Sequence, residues 1–395
     1  MKNAPLTAIP RRMLLGPGPS DVHPRVLAAI AQPCIGHLDP AFVAIMDEIK
    51  DLLRHAFQTR NALTFAVSGP GSAGMEMCFV NLLEPGDEAV VCINGVFGNR
   101  MKENVERCGA TPIVVSDDWG KAVDADKVAA ALKQHPKAKL VAFVHAETST
   151  GVQSDAQALC KLAQAHGALS LVDTVTGLGG IPVDVDKWGA DAVYAGSQKC
   201  LSVPPGLSPV TFSDRAVAAI KGRRSKVQSW FLDLSLVMAY WAGDGARSYH
   251  HTAPVNALYG LREGLLMLRE EGLEVAWARH ARMGQAFAAG IAAMGLSLQV
   301  EASVRLPQLT GVGSPAAIDE AAIRRDLLNT YDLEIGGALG VWAGKAWRVG
   351  LMGQSATPRH VLTCLSALES ALLAAGAKVP AGAGVAAARE ALTAG

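Results

Sequence analysis

The chain has 395 residues, half of them hydrophobic and 18% charged, with 36 basic and 36 acidic side chains. That length can bury one large core and a smaller one, so two domains are expected. A formal net charge of zero argues against nucleic acid or an anionic membrane as partner, and no apolar run approaches the roughly 20 residues that span a bilayer.

The stretch Met1–Arg12 lacks a continuous apolar segment and carries Pro5 and Pro10, which makes it a poor secretion signal. The terminal Leu392-Thr393-Ala394-Gly395 is not a peroxisomal address. Seven cysteines are scattered, at 34, 78, 92, 108, 160, 200 and 364, without CxxC spacing. Their odd number fits reduced thiols in a cytoplasmic protein better than a disulfide framework or a zinc site. His250 and His251 are neighbours, which is expected to point them apart and to make joint metal ligation poor.

In chain order, a predicted strand at 62–67 leads into a glycine-rich turn and a helix at 72–83. Predicted strands at 88–93, 111–115, 140–145 and 169–173 then alternate with helices at 98–108, 124–134 and 156–165. Strands at 192–195 and 209–212 and a helix at 215–221 complete this part. Alternation of this kind reads as an α/β fold, a mostly parallel seven-stranded sheet sandwiched by helices. The run Leu169-Ser170-Leu171-Val172 is mainly apolar, as a strand buried on both faces requires. After residue 255 the pattern changes. Long helices are predicted at 256–271 and 275–294, strands near 296–300 and 308–311, a helix at 319–331, strands near 333–336 and 346–351, and a helix at 357–375. This part reads as a smaller α+β C-terminal domain. The expected division is an arm over residues 1–16, a large domain over 17–255 and a small domain over 256–395. The Ala/Gly-rich tail from Lys378 is expected to be a loose helix or partly disordered.

Three stretches could carry chemistry. Ser68-Gly69-Pro70-Gly71-Ser72-Ala73-Gly74 follows a strand and opens a helix, where free N–H groups favour an anion. Gly69-x-Gly71-x-x-Gly74 also matches a dinucleotide fingerprint, but the next strand ends Ile93-Asn94-Gly95 with no acid to hold a ribose. A plain tight turn is the third reading of this stretch. Asp173 ends a buried strand, where open α/β sheets bind ligands, although strand-end acids also cap turns. Lys199 follows another short strand, in Gly196-Ser197-Gln198-Lys199 before Pro204-Pro205-Gly206; alone it reads as a loop lysine or a reactive amine. Together the three meet the needs of pyridoxal phosphate: oriented donors for the phosphate, an acid for the ring nitrogen and an amine for the aldehyde.

These residues resemble the class V pyridoxal-phosphate-dependent aminotransferases of fold type I, in the alanine–glyoxylate and serine–pyruvate aminotransferase branch. The resemblance runs from Leu14-Leu15-Gly16-Pro17-Gly18-Pro19-Ser20 to about Ala375. Its stations include Gly36-His37-Leu38-Asp39-Pro40, Asn94-Gly95-Val96-Phe97-Gly98, His145-Ala146-Glu147-Thr148-Ser149-Thr150-Gly151, Tyr249-His250-His251-Thr252 and Trp347-Arg348-Val349-Gly350. The resemblance implies a transaminase that moves an amino group from L-alanine or L-serine to glyoxylate or pyruvate. It implies that Lys199 holds pyridoxal 5′-phosphate as a Schiff base and later shuttles a proton, and that Asp173 pairs with the ring nitrogen. It puts Phe97 and Val175 on the two ring faces, Gly71, Ser72 and Gln198 at the phosphate, and Thr148 near the cofactor. Tyr249 and Thr252 are implied to reach the phosphate from the partner subunit, which makes a homodimer with shared sites. Arg348 is implied to bind the substrate α-carboxylate, and His250 and His251 to be structural. The chain departs from the family at Pro70, where Ser or Thr is common, and at Gly177, often Ser; the first removes one N–H and a hydroxyl from the phosphate side. A lyase or desulfurase on the same fold, or a transaminase of an unusual amine donor, is the alternative reading. A desulfurase needs a nucleophilic cysteine in the small-domain loop, and 331–347 has none.

Overall fold

The computed structural model describes residues 9–241 and 247–394. Its centre is a seven-stranded sheet of β1 (Leu63–Ser68), β2 (Glu88–Ile93), β3 (Thr111–Ser116), β4 (Ala138–Val144), β5 (Leu169–Asp173), β6 (Ala192–Tyr194) and β7 (Leu207–Phe212), in the spatial order β1-β7-β6-β5-β4-β2-β3. Only β7 runs antiparallel to its neighbours. The carboxyl ends of the other six strands therefore share one edge, where ligands of open α/β sheets bind. All five residues of β5 are buried, because helices cover both faces of the sheet. The predicted strands hold to within two residues at each end.

Four helices before residue 250 were not expected, the short Val185–Trp188 and Leu234–Trp241 and two near the start of the chain. Pro24–Ile30 and Pro40–Phe57 each begin with proline just inside, after His23 and Asp39, whose side chains cap Arg25 N–H and Ala41 N–H. In the second, Phe42, Met46, Ile49, Leu53 and Phe57 make one buried stripe at helical spacing. Two further helices, Val255–Glu271 and Leu273–Ala293, lead toward the C-terminal strands.

Two hydrophobic cores result. One gathers side chains from Val26 to Ala276 around the large sheet, the Val255–Glu271 helix among them. The other gathers residues from Met283 to Ala388, together with Leu15 from the N-terminal arm. A small cluster of Ala146, Ile181, Cys200, Leu306, Leu309 and Met352 lies apart from both. The arm runs beside the second core, with Met13–Leu14 paired parallel to Leu333–Glu334, and Gly350 N–H donates to Leu15 O at 2.8 Å. Residues 1–8 of the expected arm lie outside the described residues.

The small three-stranded sheet contains Leu309–Gly313, Ala346–Gly350 and Gly336–Gly337. Two expectations fail here, and of the two readings of the tail the helix holds. Residues 296–300 form no strand; Leu298 makes an isolated bridge to Val312, and the chain then turns through Ala302–Val304 while Arg305 caps Val300 O. The strand expected at 333–336 splits, since Leu333–Glu334 pairs with the arm and Gly336–Gly337 with Ala346–Gly350. The tail is an ordered helix, Ala383–Thr393, packed on Leu273–Ala293. Glycine makes that approach close: a Cβ on Gly290 would lie 2.8 Å from Gly384 O.

Candidate active site

Asp173 ends β5, beside Tyr194 of β6 in register. Its carboxylate is buried and accepts from the Tyr194 hydroxyl at 2.6 Å and from Val175 N–H at 2.8 Å. Burial pushes its pKa up to about 7, helped by the charge of Glu147; the Tyr194 and Val175 donors and Lys199 pull the other way.

Lys199 follows β6 and is 8% exposed. Its ammonium donates to Pro17 O, just past the arm, and among the described residues it has no carboxylate partner at ion-pair distance. Burial pulls its pKa down to about 8, and the Arg348 guanidinium adds to the effect. The chain just past the arm runs so close that a Cβ on Gly18 would lie 2.6 Å from Lys199 Nζ, and Gly18 has φ +103°. Only glycine holds that conformation without strain.

The glycine-rich turn closes on the same place. A Cβ on Gly71 would lie 3.0 Å from Val175 Cγ2 and 3.4 Å from Ala195 O. One on Gly196 would lie 2.9 Å from Gln198 Oε1 and 3.2 Å from Val175 Cγ1. Gly71, Val175 and the 195–198 loop are thus in mutual reach, with Asp173 two residues from Val175. The Gly71–Leu82 helix starts after Pro70 without a side-chain cap, so the N–H groups of Gly71 and Ser72 have no partner within the helix. Ser72 is exposed, and the buried Gln198 Oε1 has no hydrogen-bond partner.

Arg348 comes from the central strand of the small sheet and is 8% exposed. It donates to Gly337 O at 2.9 Å and Thr148 O at 3.1 Å, both neutral carbonyls. Among the described residues no carboxylate lies at ion-pair distance from it, and burial lowers its pKa to about 10. A buried guanidinium without an anion is costly unless a ligand supplies one. The Thr148 hydroxyl is 2.5 Å from that of Thr176. Phe97, half-buried at the start of the Val96–Arg107 helix, carries the Arg100 guanidinium 4.7 Å from its ring centroid.

Tyr249 and Thr252 lie on the surface; Tyr249 is 64% exposed. The expectation that His250 and His251 point apart is corrected: their Nδ1 atoms are 2.8 Å from each other. The backbone there is irregular, so the alternation of a strand does not apply. His251 Nε2 is also 3.0 Å from Ser68 Oγ, and no metal-binding cluster occurs among the described residues. At Gly177 a Cβ would meet only ordinary contacts, at 3.4 Å or more. The sequence reading missed Tyr194, Pro17 and Glu147. Tyr194 had a signal, since it ends the strand next to the one that Asp173 ends.

The class-V aminotransferase family model matches residues 15–313. The chain belongs to the class-V aminotransferases. Rabbit (Oryctolagus cuniculus) alanine–glyoxylate aminotransferase is 42% identical over 365 residues, 92% of this chain and 93% of that protein. The crystal structure of alanine–glyoxylate aminotransferase from Nostoc sp. superposes with a TM-score of 0.91 at 46% identity, covering 94% of this chain and 98% of the other. That of ureidoglycine–glyoxylate aminotransferase from Bacillus subtilis gives 0.95 at 39% identity, covering 98% and 99%. The fold of this aminotransferase is accordingly fold type I, and its family works with pyridoxal 5′-phosphate.

Proposed function

We propose that this aminotransferase holds pyridoxal 5′-phosphate at Lys199 and moves an amino group from L-alanine or L-serine to glyoxylate or pyruvate. The observation that carries the reading is the pair of buried cations, Lys199 and Arg348, each bonded only to neutral carbonyls, with the buried carboxyl of Asp173 within electrostatic reach of Lys199. The cofactor and a substrate carboxylate supply what these groups lack. Fit is supported by the uncapped helix start at Gly71 and Ser72, by the unpartnered Gln198 oxygen, and by glycine at 71 and 196, where any Cβ would crowd Val175.

When bound, the cofactor supplies an aldehyde for the substrate amine and a ring that accepts electrons. Asp173 would hold a proton on the ring nitrogen, its carboxylate fixed by the Tyr194 hydroxyl and Val175 N–H. Gly71, Ser72 and Gln198 would face the phosphate and Phe97 and Val175 the two ring faces, with the Thr148 hydroxyl near the cofactor. Arg348 would take the substrate α-carboxylate in its planar fork. Lys199 Nζ, with a pKa pulled down to about 8, would take a proton from the substrate α-carbon and deliver it to the cofactor carbon.

Tyr249 and Thr252 would complete the phosphate site of a second copy, so the working form is a homodimer with shared sites. Their surface exposure supports this, as does the cluster of exposed Trp230, Phe231 and Tyr249 around His250 and His37. A cytoplasmic location is supported by seven unpaired cysteines, and no helix among the described residues is long and apolar enough to cross a membrane. Small donors and glyoxylate are supported by the rabbit and Nostoc relatives' names, and an unusual donor by that of the Bacillus relative. The desulfurase alternative finds no support. The 338–345 loop has no cysteine, and Cys200 is buried with its thiol pushed up to about 12.

The test is a donor and acceptor panel on the purified protein. L-alanine with glyoxylate is expected to give pyruvate and glycine. Absence of amine transfer from every donor would overturn the proposal.

A further inference from the structure

Glu147 is fully buried, yet none of the roles above uses it. It lies on a hairpin, Ala146–Glu147 against Val152–Gln153, whose turn also offers Thr148 O to Arg348. Its Oε1 accepts from Ser149 N–H at 3.0 Å and from the Ser149 hydroxyl at 2.5 Å. Ser149 Oγ in turn accepts from Val96 N–H at 2.9 Å. Val96 is the first residue of the helix that carries Phe97, and this helix has no side-chain cap of its own, since Gly95 precedes it. The first N–H groups of a helix need acceptors, and a carboxylate there is favoured by the helix dipole. Here the acceptor comes from a different segment. Gly95 makes room for it, because a Cβ there would collide with Glu147 and Ser149. Burial pushes the Glu147 carboxyl above its ordinary pKa, the Ser149 donors and the N–H groups of Gly98 and Phe97 pull it the other way, and Oε2 closes no hydrogen bond.

We infer that Glu147 is a positioning residue, which through Ser149 fixes the start of the Val96–Arg107 helix and with it the Phe97 ring over the cofactor. The inference rests on the proposed placement of Phe97 against the ring. Glu147 touches no reacting atom; it acts by holding a helix end still.

A double-mutant cycle on the holoenzyme separates this role from general stabilisation. The readouts are the cofactor dissociation constant and the visible circular dichroism of the bound cofactor. Glu147→Ala and Phe97→Ala are each expected to weaken cofactor binding about tenfold and to reduce the visible dichroism. The double variant is expected to bind within about twofold of Phe97→Ala alone, because the ring through which Glu147 acts is gone. Glu147→Gln, which keeps an acceptor for Ser149, is expected to recover most of the affinity. If Glu147→Ala does not fold, Ser149→Ala breaks the same link at Val96 and is expected to show the same non-additivity. An unchanged dissociation constant in Glu147→Ala, or a full tenfold loss added on top of Phe97→Ala, would overturn the inference. If Phe97→Ala alone changes nothing, the ring placement fails first, a result distinct from failure at Glu147.

Discussion

Burial acts on Asp173 and Lys199 in the same sense, against charge, and this sets two expectations. The Asp173 pKa of about 7 means that the cofactor-free carboxyl is only partly ionised near neutrality, and a cationic ring nitrogen would restore its charge. A hydrogen bond to such a charged group contributes about 1.5–3 kcal/mol. Asp173→Asn is therefore expected to weaken cofactor binding by about 10- to 100-fold in equilibrium titration, with the protein still folded. For Lys199 the folded value of about 8 lies below the ordinary 10.5, so between those pH values the unfolded chain holds more protons. The cofactor-free protein must then gain stability from this residue as pH rises from about 8 to 10.5. Lys199→Met is expected to stabilise the cofactor-free protein at pH 7 by roughly 1–3 kcal/mol, a gain that fades as pH rises through that window. Urea unfolding at several pH values measures it; a gain that stays constant with pH would count against a buried, pKa-depressed amine. Asp173 and Lys199 were legible because each ends or follows a short apolar strand. Glu147 was not, because its burial depends on a hairpin whose short strands leave no periodic pattern, and Pro17 acts through a carbonyl that no side chain advertises.

At the scale of elements, the site is made by close approaches that only glycine allows. Gly18 combines φ +103° with a Cβ position 2.6 Å from the Lys199 amine. Gly18→Ala is expected to cost about 1–3 kcal/mol in urea unfolding and to disturb the visible absorbance of the lysine-bound cofactor. An unaltered spectrum would mean that the segment just past the arm does not bear on Lys199. The same elements explain what sequence periodicity could reach. The large sheet was legible because strands buried on both faces read as apolar runs between turn residues. The first two helices were not picked out, although proline after a capping residue marked both starts. The tail helix was underestimated because alanine and glycine look featureless alone. Its order comes from packing on the Leu273–Ala293 helix, where Gly290 admits the Gly384 backbone. The strand expected at 296–300 failed because its ladder ends after one bridge, where Arg305 takes the Val300 carbonyl.

At the scale of the whole molecule, the candidate site draws on both sheets and on the segment that follows the N-terminal arm. Asp173 ends a strand of the large sheet and Lys199 follows another, Arg348 belongs to the small sheet, and Pro17 and Gly18 lie just past the arm. Sharing between two copies has a direct signature. Inactive Lys199→Ala mixed with an impaired Tyr249→Ala/Thr252→Ala variant is expected to regain activity, because one site per mixed dimer holds wild-type residues from both chains. No recovery after subunit exchange would contradict a shared phosphate site. The central assignment, Lys199 as the residue that holds the cofactor, is tested most directly by borohydride reduction of the holoenzyme followed by peptide mass mapping. The expected result is a phosphopyridoxyl group on the peptide containing Lys199, absent from Lys199→Ala. The group on another lysine, or on none, would contradict it.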